Sequence, residues 1–216
     1  MRKIINLKPK TYNLKPKYII GIDEVGRGAL CGPVVVAAVA ATVNLKFKIK
    51  NLKLKLRDSK KLTSKQRKVW FQYIKDELAL PQAVASVSPK VIDKINISNA
   101  ANLAATRALD KLTKNLKLKT ESYSVLLDGG LYIKKLKTKN LKLKTIIKGD
   151  EKIPAIALAS IVAKVTRDRI MVKLHKKYPK YALDQHKGYG TKKHIKAIRK
   201  YGQGKIHRLT FLGKIR

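Results

Sequence analysis

The hydrophobic and polar positions along the 216-residue chain first predict five strands. Each is a short run of mainly apolar, often β-branched residues that gives way to glycine, charged or polar residues. The runs are residues 18–23, 34–43, 83–87, 124–127 and 145–147. Because a short glycine-containing segment joins the first two runs, we expect these two strands to pair as a hairpin.

Other segments carry apolar residues every three or four positions, which predicts helices. A first helix begins at Thr63 with a capping box, and Ser98 can cap a second helix that has an alanine-rich face. A long helix begins near Pro154, and a last one begins near Thr191 and ends at Gly202. Strands followed by strands mixed with helices predict an α/β fold, a sheet with helices on its faces.

The length of the chain favours one domain, which we place at residues 18–216. Residues 1–17 precede the first predicted strand and contain no candidate catalytic residue. We therefore expect them to form a basic N-terminal extension that is flexible.

The charge of the chain is strongly unbalanced, with 51 Lys and Arg against 13 Asp and Glu and a formal net charge of +38. Such a surface attracts polyanions, among which nucleic acid is the leading partner. A compositional bias toward lysine is the alternative, and it would supply the charge without any binding role.

A pentapeptide of the form Asn-Leu-Lys-x-Lys occurs six times, at irregular spacing. Its copies carry 12 of the 51 basic residues, so the positive charge does not depend on the repeat. Alternating Leu and Lys suits an edge strand with one wet face. We interpret the copies as expanded loops and sheet edges and not as a binding module.

No uninterrupted apolar run approaches the ~18 residues that a membrane helix needs, and no export signal is visible. We therefore expect a cytoplasmic protein with no membrane partner.

Cysteine and histidine offer little sign of a further metal site. Cys31 is the only cysteine, which excludes an internal disulfide and a cysteine metal cluster. The four histidines have no metal-ligand spacing with cysteines, and we interpret them as surface, packing or phosphate-contacting residues. They are His175, His186, His194 and His207.

The acidic residues, which are few, occur where predicted strands end. Asp23 and Glu24 close the first strand, Asp128 closes the fourth, and Asp150 follows the fifth, each beside a glycine-containing turn. Side chains at strand ends of an α/β sheet converge on a shared cleft, where four carboxylates repel one another unless cations neutralise them. Mg²⁺ or Mn²⁺ suits such oxygen ligands, and two such ions can promote phosphodiester cleavage.

Two other interpretations of these features are open. A single Asp-Gly pair most often serves a turn or a helix cap, so each acid on its own carries little weight. A non-catalytic basic RNA-binding protein, such as a ribosomal component, would explain the charge but not four acids at strand ends.

Five sequence blocks, in the same order, resemble bacterial ribonuclease HII. They are GIDEVGRGALCGPVVVAAV, DSKKLT, LLDGG, KGDEKIPAIALASIVAKVTRDR and HKGYGT. The resemblance implies a ribonuclease H-like fold, a mixed β-sheet flanked by helices, with a helical C-terminal portion from about residue 171. A family member that binds its substrate without cutting it is a further alternative, although all four carboxylates are present.

The resemblance also implies an activity. Members of the family cleave the RNA strand of RNA–DNA hybrids and nick duplex DNA at embedded ribonucleotides, leaving 5′-phosphate and 3′-hydroxyl ends. They depend on Mn²⁺ or Mg²⁺, with two ions during catalysis. We accordingly expect a monomer whose partners are RNA–DNA hybrids and ribonucleotide-containing duplexes.

Residue roles follow from the matching blocks. The resemblance makes four acids the catalytic metal ligands: Asp23, Glu24, Asp128 and Asp150. It gives recognition of the ribose 2′-hydroxyl to the backbone of Gly26, Arg27 and Gly28. It places Tyr189 against the ribonucleotide–deoxyribonucleotide junction.

The chain departs from the family at a few positions. Ala29 and Cys31 stand where the family usually has Pro and Ala, and residues 207–211 vary the usual His-Arg-x-Ser-Phe. These departures bear on local packing more than on the carboxylates.

Overall fold

The protein is described by a computed structural model that covers residues 17–42, 62–133 and 141–213. Five strands form one sheet in the spatial order β3-β2-β1-β4-β5. The strands are β1 (Tyr18–Val25), β2 (Val34–Thr42), β3 (Gln82–Val87), β4 (Tyr123–Asp128) and β5 (Lys142–Ile146). Strands β1, β2 and β3 pair antiparallel, whereas β4 is parallel to both β1 and β5. The sheet is therefore mixed, as the resemblance implied.

Helices cover both faces of this sheet. They are α1 (Ser64–Asp76), α2 (Pro89–Ile95), α3 (Ile97–Asn115), α4 (Gly149–Lys152), α5 (Pro154–Lys177), α6 (Leu183–His186) and α7 (Lys192–Tyr201). Short 3-10 helices occupy Thr120–Ser122, Pro179–Tyr181 and Leu209–Phe211. No helix in the described part of the chain is both long enough and apolar enough to cross a membrane.

Strand β2 shows why the sheet needs helices on both sides. Its alternate residues belong to two different hydrophobic clusters, so the strand is buried on both faces. Val36 and Ala38 pack with the alanine face of α3, whereas Ala37 and Val39 pack with α1 and α5. The unbroken apolar run in the sequence is the consequence of this double burial.

The predicted elements are present, and their limits differ in informative ways. Strand β1 runs two residues beyond its predicted end, so both Asp23 and Glu24 lie within the strand. The capping box of α1 is confirmed, with Thr63 accepting from the backbone N–H of Gln66 at 3.2 Å. The predicted hairpin of β1 and β2 is confirmed as an antiparallel pair.

The expected cap at Ser98 is wrong. Helix α3 begins at Ile97, and the side chain of Asn96 accepts the hydrogen bond from the backbone N–H of Asn99 at 3.0 Å. Asn96 has a φ of 63° and separates α3 from α2, a seven-residue helix that was not predicted. A helix of two turns is too short to show a clear apolar periodicity.

Two copies of the pentapeptide repeat fall wholly or mostly within the described residues. The copy at 115–119 lies at the end of α3, and the copy at 140–144 forms most of β5. Leu141, just before β5, and Leu143, within it, pack against the core while Lys142 and Lys144 are exposed, which confirms the edge-strand interpretation for this copy. The other four copies lie outside the described residues apart from Lys17, as do residues 1–16 of the expected N-terminal extension.

One close backbone contact fixes how the sheet meets α5. A Cβ placed on Gly21, in the middle of β1, would lie 2.2 Å from the backbone carbonyl carbon of Ala155. Only glycine lets the start of α5 approach β1 this closely. The contact holds the first turns of α5 beside the segment of β1 that leads into Asp23 and Glu24.

We expect Gly21→Ala to lower the free energy of unfolding by about 3 kcal/mol or more, because the clash is with helix backbone that no rotamer change can relieve. Urea denaturation measures the effect. Gly213→Ala is the matched control, since a Cβ there would meet nothing within 4 Å. Equal stability of the two variants would contradict this account of the β1–α5 contact.

Candidate active site

Three carboxylates meet at one edge of the sheet. The parallel pairing of β1 and β4 ends at Ile22 opposite Leu127, so Asp23 and Asp128 follow this last pair side by side. Asp23, Glu24 and Asp128 each offer an oxygen that lies within 4.8 Å of the others. The convergence predicted from strand ends is therefore present for these three acids.

Asp23 is the most deeply buried member of the group, with 4% of its surface exposed. Its Oδ1 accepts a hydrogen bond from the backbone N–H of Glu24 at 2.8 Å. Burial, and next the negative charge of Glu24, raise the pKa of Asp23 to about 7, although Lys164 and the hydroxyl of Ser160 act in the opposite direction. Lys164 in turn donates to Ser160 at 2.6 Å, so one turn of α5 faces this carboxyl group.

Glu24 shows most clearly that the group fits a cation. Burial is the main cause that raises the pKa of Glu24, and the negative charge of Asp128 raises it further. The positive charge of Arg27 lowers it. Its Oε1 is 3.4 Å from a guanidinium nitrogen of Arg27, but its Oε2 is buried and has no hydrogen-bond partner among the described residues. A buried carboxylate oxygen without a donor is costly, and a bound cation would satisfy it.

Asp128 is held by the segment that follows β5. Its Oδ1 accepts a hydrogen bond from the backbone N–H of Gly149 at 2.7 Å. A Cβ on Gly149 would lie 2.6 Å from the side chain of Ile156 and 3.3 Å from Asp128 Oδ1, so glycine is required at this point. Lys148, with a φ of 54°, makes the turn that aims this N–H at the carboxylate.

Asp150 is buried in the short helix α4, next to the glycine that binds Asp128. The group of acids whose oxygens all lie within 4.8 Å of one another does not include it. Its role as a fourth metal ligand stays a prediction.

The donor set fits a hard divalent cation. Three carboxylates supply only oxygen ligands, as Mg²⁺ and Mn²⁺ prefer, and one of them, Glu24, has an oxygen with no hydrogen-bond partner among the described residues. A cation there would also favour the ionised form of the carboxyl group of Asp23.

The Gly-Arg-Gly turn directly follows β1. The guanidinium of Arg27 donates to the carbonyl of Gly130 at 2.7 Å and to the hydroxyl of Ser98 at 3.1 Å. It thereby joins this turn to the loop after β4 and to the first turn of α3. Gly26 has a φ of 88°, and a Cβ on it would lie 2.2 Å from Arg167, whereas a Cβ on Gly28 would meet nothing within 4 Å.

Two buried arginines hold the turn against the C-terminal portion of the chain. Arg208 donates to the carbonyl of Arg27 at 2.8 Å and twice to the carbonyl of Gly32. Arg167 donates to the carbonyls of Pro33, Cys31 and Lys187, at 2.9–3.2 Å. Sequence reasoning gave neither of them this role, because nothing in the pattern separates them from the other basic residues.

Tyr189 lies on a segment that is bound to the same turn. The backbone N–H of Leu30 donates to the carbonyl of Gly188 at 2.8 Å, and the guanidinium of Arg167 lies 5.3 Å from the Tyr189 ring. The tyrosine is 39% exposed and does not belong to the hydrophobic core. Its ring is therefore accessible beside the turn that the resemblance assigns to substrate.

Asp168 and the histidines lie outside the carboxylate group. Asp168 pairs with Arg67 of the neighbouring helix α1 at 3.9 Å. His194 and His207 are buried, in agreement with a packing role. His175 pairs with Asp184 at 3.3 Å.

In metal-free protein we expect a pH dependence of stability that is specific to Asp23. Its pKa is near 7 in the folded chain against an ordinary 3.8, so the folded state holds the proton more tightly. This contribution to stability is complete below about pH 4 and is lost as the pH rises toward 7. Asp23→Asn removes it while keeping an oxygen for the N–H of Glu24.

Urea denaturation in chelator at pH 5 and pH 8 tests this expectation. The free energy of unfolding of wild type should fall relative to Asp23→Asn by an amount on the order of 2 kcal/mol between these pH values. Saturating Mg²⁺ at pH 8 should raise the free energy of unfolding of wild type again but not that of Asp23→Asn. Parallel pH profiles for the two proteins would show that Asp23 does not titrate in this range.

Known proteins give a consistent picture. Residues 20–214 match the family model described as Ribonuclease HII. The chain is 44% identical to the ribonuclease HII of Caldicellulosiruptor bescii, an alignment that covers 97% of this chain and 93% of that one. It is 46% identical to the ribonuclease HII of Fusobacterium nucleatum, over 100% of this chain and 95% of that one.

A solved structure supports the same conclusion. The ribonuclease H2 of Pyrococcus horikoshii OT3 superposes with a TM-score of 0.69 and 26% identity, covering 92% of this chain and 96% of that one. The shared fold, the shared sequence and the carboxylate group at the sheet edge agree. The chain belongs to the ribonuclease HII family and is an endoribonuclease of the ribonuclease H type.

Proposed function

We propose that the protein is a metal-dependent endonuclease that cleaves the RNA strand of RNA–DNA hybrids and nicks duplex DNA at embedded ribonucleotides. The products carry 5′-phosphate and 3′-hydroxyl ends. The observation that carries this proposal is the group of Asp23, Glu24 and Asp128, whose oxygens converge within 4.8 Å.

The carboxylates hold and orient the reacting groups. Two Mn²⁺ or Mg²⁺ ions, when bound, would activate the attacking water and stabilise the leaving 3′ oxygen. Asp23, Glu24 and Asp128 would hold them, with Asp150 as the fourth ligand. The hydrogen bond from Gly149 fixes one oxygen of Asp128 and leaves the other free to act as a ligand.

The Gly-Arg-Gly turn is suited to recognise a ribose. Its backbone is fixed by Arg208, which binds the carbonyl of Arg27, and by the contacts of the Arg27 side chain. Because a Cβ on Gly28 would face open space, a sugar can approach the backbone of the turn closely. We assign recognition of the 2′-hydroxyl to the backbone of Gly26, Arg27 and Gly28.

The proposal extends to the assembly and its surroundings. We propose that the protein acts on its duplex as a monomer, with the metal ligands and substrate contacts supplied by the same chain. The net charge of +38 supports salt-sensitive binding to the phosphate backbone. We place the protein in the cytoplasm, where its nucleic-acid substrates occur in bacteria.

We expect Asp128→Asn to lower the rate of nicking at a single ribonucleotide by more than about 100-fold. Losing a residue that only hydrogen-bonds to a metal ligand costs up to about 100-fold, and losing a ligand itself should cost more. Asn keeps an oxygen for the N–H of Gly149, so fold and hybrid binding should persist. The measurements are cleavage with saturating Mn²⁺, thermal melting and hybrid affinity.

Asp110→Asn is the matched control, since Asp110 is an exposed acid of α3 away from the group. It should cleave at the wild-type rate. Cleavage by Asp128→Asn within about tenfold of this control would remove Asp128 from the metal site.

We expect Tyr189→Ala to lower cleavage at a single ribonucleotide more than cleavage of a long hybrid. Only the single ribonucleotide requires the RNA-to-DNA step to be sensed, and loss of a stacked ring costs about 1–3 kcal/mol. Tyr189→Phe keeps the ring and should keep the ratio of the two rates.

Thermal melting distinguishes this role from a packing role. A tyrosine that only packs would, once removed, lower the melting temperature and depress both rates together. An unchanged ratio in well-folded Tyr189→Ala protein would exclude junction sensing by this residue.

A further inference from the structure

A second group of metal-ligand side chains lies away from the carboxylates. Cys31 comes from the segment between β1 and β2, His194 from α7, and His207 from the segment after α7. All three are buried, with exposures of 0–2%, and each offers a ligand atom within 4.8 Å of the others. Their separation along the sequence explains why spacing gave no sign of them.

The outer nitrogens of both histidines contact backbone carbonyls. Nδ1 of His194 lies 3.0 Å from the carbonyl of Tyr189, and Nδ1 of His207 lies 3.2 Å from the carbonyl of Gly204. A ring N–H donated to a carbonyl is the usual outer contact of a metal-binding histidine, because it leaves the other nitrogen as a ligand. The two Nε2 atoms face each other at 3.3 Å.

Without a cation, a single proton can join these rings. The backbone N–H of Gly204 lies 3.0 Å from Nδ1 of His207, which can accept it, and Nε2–H of His207 can then donate to Nε2 of His194. If both Nδ1 atoms carry the proton instead, two lone pairs converge together with the sulfur of Cys31. Both proton arrangements are compatible with one set of atomic positions.

We propose that Cys31, His194 and His207 bind one Zn²⁺ ion. One sulfur and two imidazole nitrogens are ligands that Zn²⁺ prefers, whereas Mg²⁺ and Mn²⁺ prefer the oxygens of the carboxylate group. The sulfur of Met171 packs in the same buried cluster and adds to the soft character of the surroundings.

The protons balance in this binding step. The thiol of Cys31 releases its proton to solvent. The ring proton of His207 moves from Nε2 to Nδ1, which then donates to the carbonyl of Gly204. Three metal–ligand bonds form as the ion releases water to solvent, and two hydrogen bonds are lost, the one between the histidines and the one from the N–H of Gly204 to Nδ1 of His207. No change of oxidation state is involved.

Such an ion would join parts of the chain that carry the proposed substrate contacts. Cys31 follows the Gly-Arg-Gly turn, and His194 holds the carbonyl of Tyr189. Zinc is therefore expected to fix the position of one relative to the other and to raise the melting temperature. This site is independent of the proposed cleavage reaction and goes beyond it.

Cobalt provides a direct probe, because Cys31 is the only cysteine of the chain. A thiolate-to-cobalt charge-transfer absorption can therefore arise from this residue alone. We expect this absorption to saturate at one Co²⁺ per chain in full-length protein and to be displaced by Zn²⁺. It should persist in Asp128→Asn, in which the carboxylate group is weakened.

Two variants test the proposed ligands, and a third serves as their control. Cys31→Ala should abolish the absorption, and His207→Asn, which keeps a polar group for Gly204, should weaken Zn²⁺ binding by at least about tenfold in competition with a chromophoric chelator. His175→Asn is the control and should bind Zn²⁺ as wild type does, since its partner is Asp184.

Melting curves add a second readout. Zn²⁺ should raise the melting temperature of wild type and His175→Asn by several degrees and leave Cys31→Ala unchanged. The absence of a thiolate–cobalt absorption in wild type, or equal Zn²⁺ affinity and equal thermal shift in wild type and Cys31→Ala, would overturn the proposal. Loss of Zn²⁺ binding with normal Mn²⁺-dependent cleavage would leave the proposed function intact.

Discussion

Three carboxylates whose oxygens lie within 4.8 Å of one another repel when they are ionised, and the elements around the sheet edge are placed to offset that repulsion. Helix α5 brings Lys164 toward the first carboxylate, the turn after β1 brings Arg27 to the second, and α4 brings the N–H of Gly149 to the third. These partners are insufficient, because the pKa values of both β1 carboxyl groups remain raised. The negative charge that these partners leave unneutralised favours the binding of a cation.

Buried positive charges, and not negative ones, hold the Gly-Arg-Gly turn and the segment that follows it. Arg167 and Arg208 are buried, and the hydrogen bonds that both side chains donate go to backbone carbonyls. Burial, and next the repulsion from Arg167, lower the pKa of Arg208 to about 10, which still leaves it charged at neutral pH. A guanidinium presents several donors in one plane, so a single side chain fixes loops that are distant in sequence.

Local features of the chain were readable from the sequence, and long-range ones were not. Strand runs, the capping box at Thr63 and the acids at strand ends depend on neighbours within a few residues, and the structure contains them. Asn96 displaced Ser98 as a cap because its left-handed backbone separates two helices, which periodicity does not reveal. The buried arginines and the convergence of Cys31 with two histidines depend on contacts across more than 100 residues.

Strand β5 shows how a lysine-rich repeat can be accommodated at a sheet edge. A free edge exposes backbone groups that could pair with another sheet and lead to aggregation. The exposed lysines of β5 discourage such pairing, while Leu143 and the preceding Leu141 pack against the core. The pentapeptide at the β5 edge can therefore complete the sheet without making molecules of this protein adhere to one another.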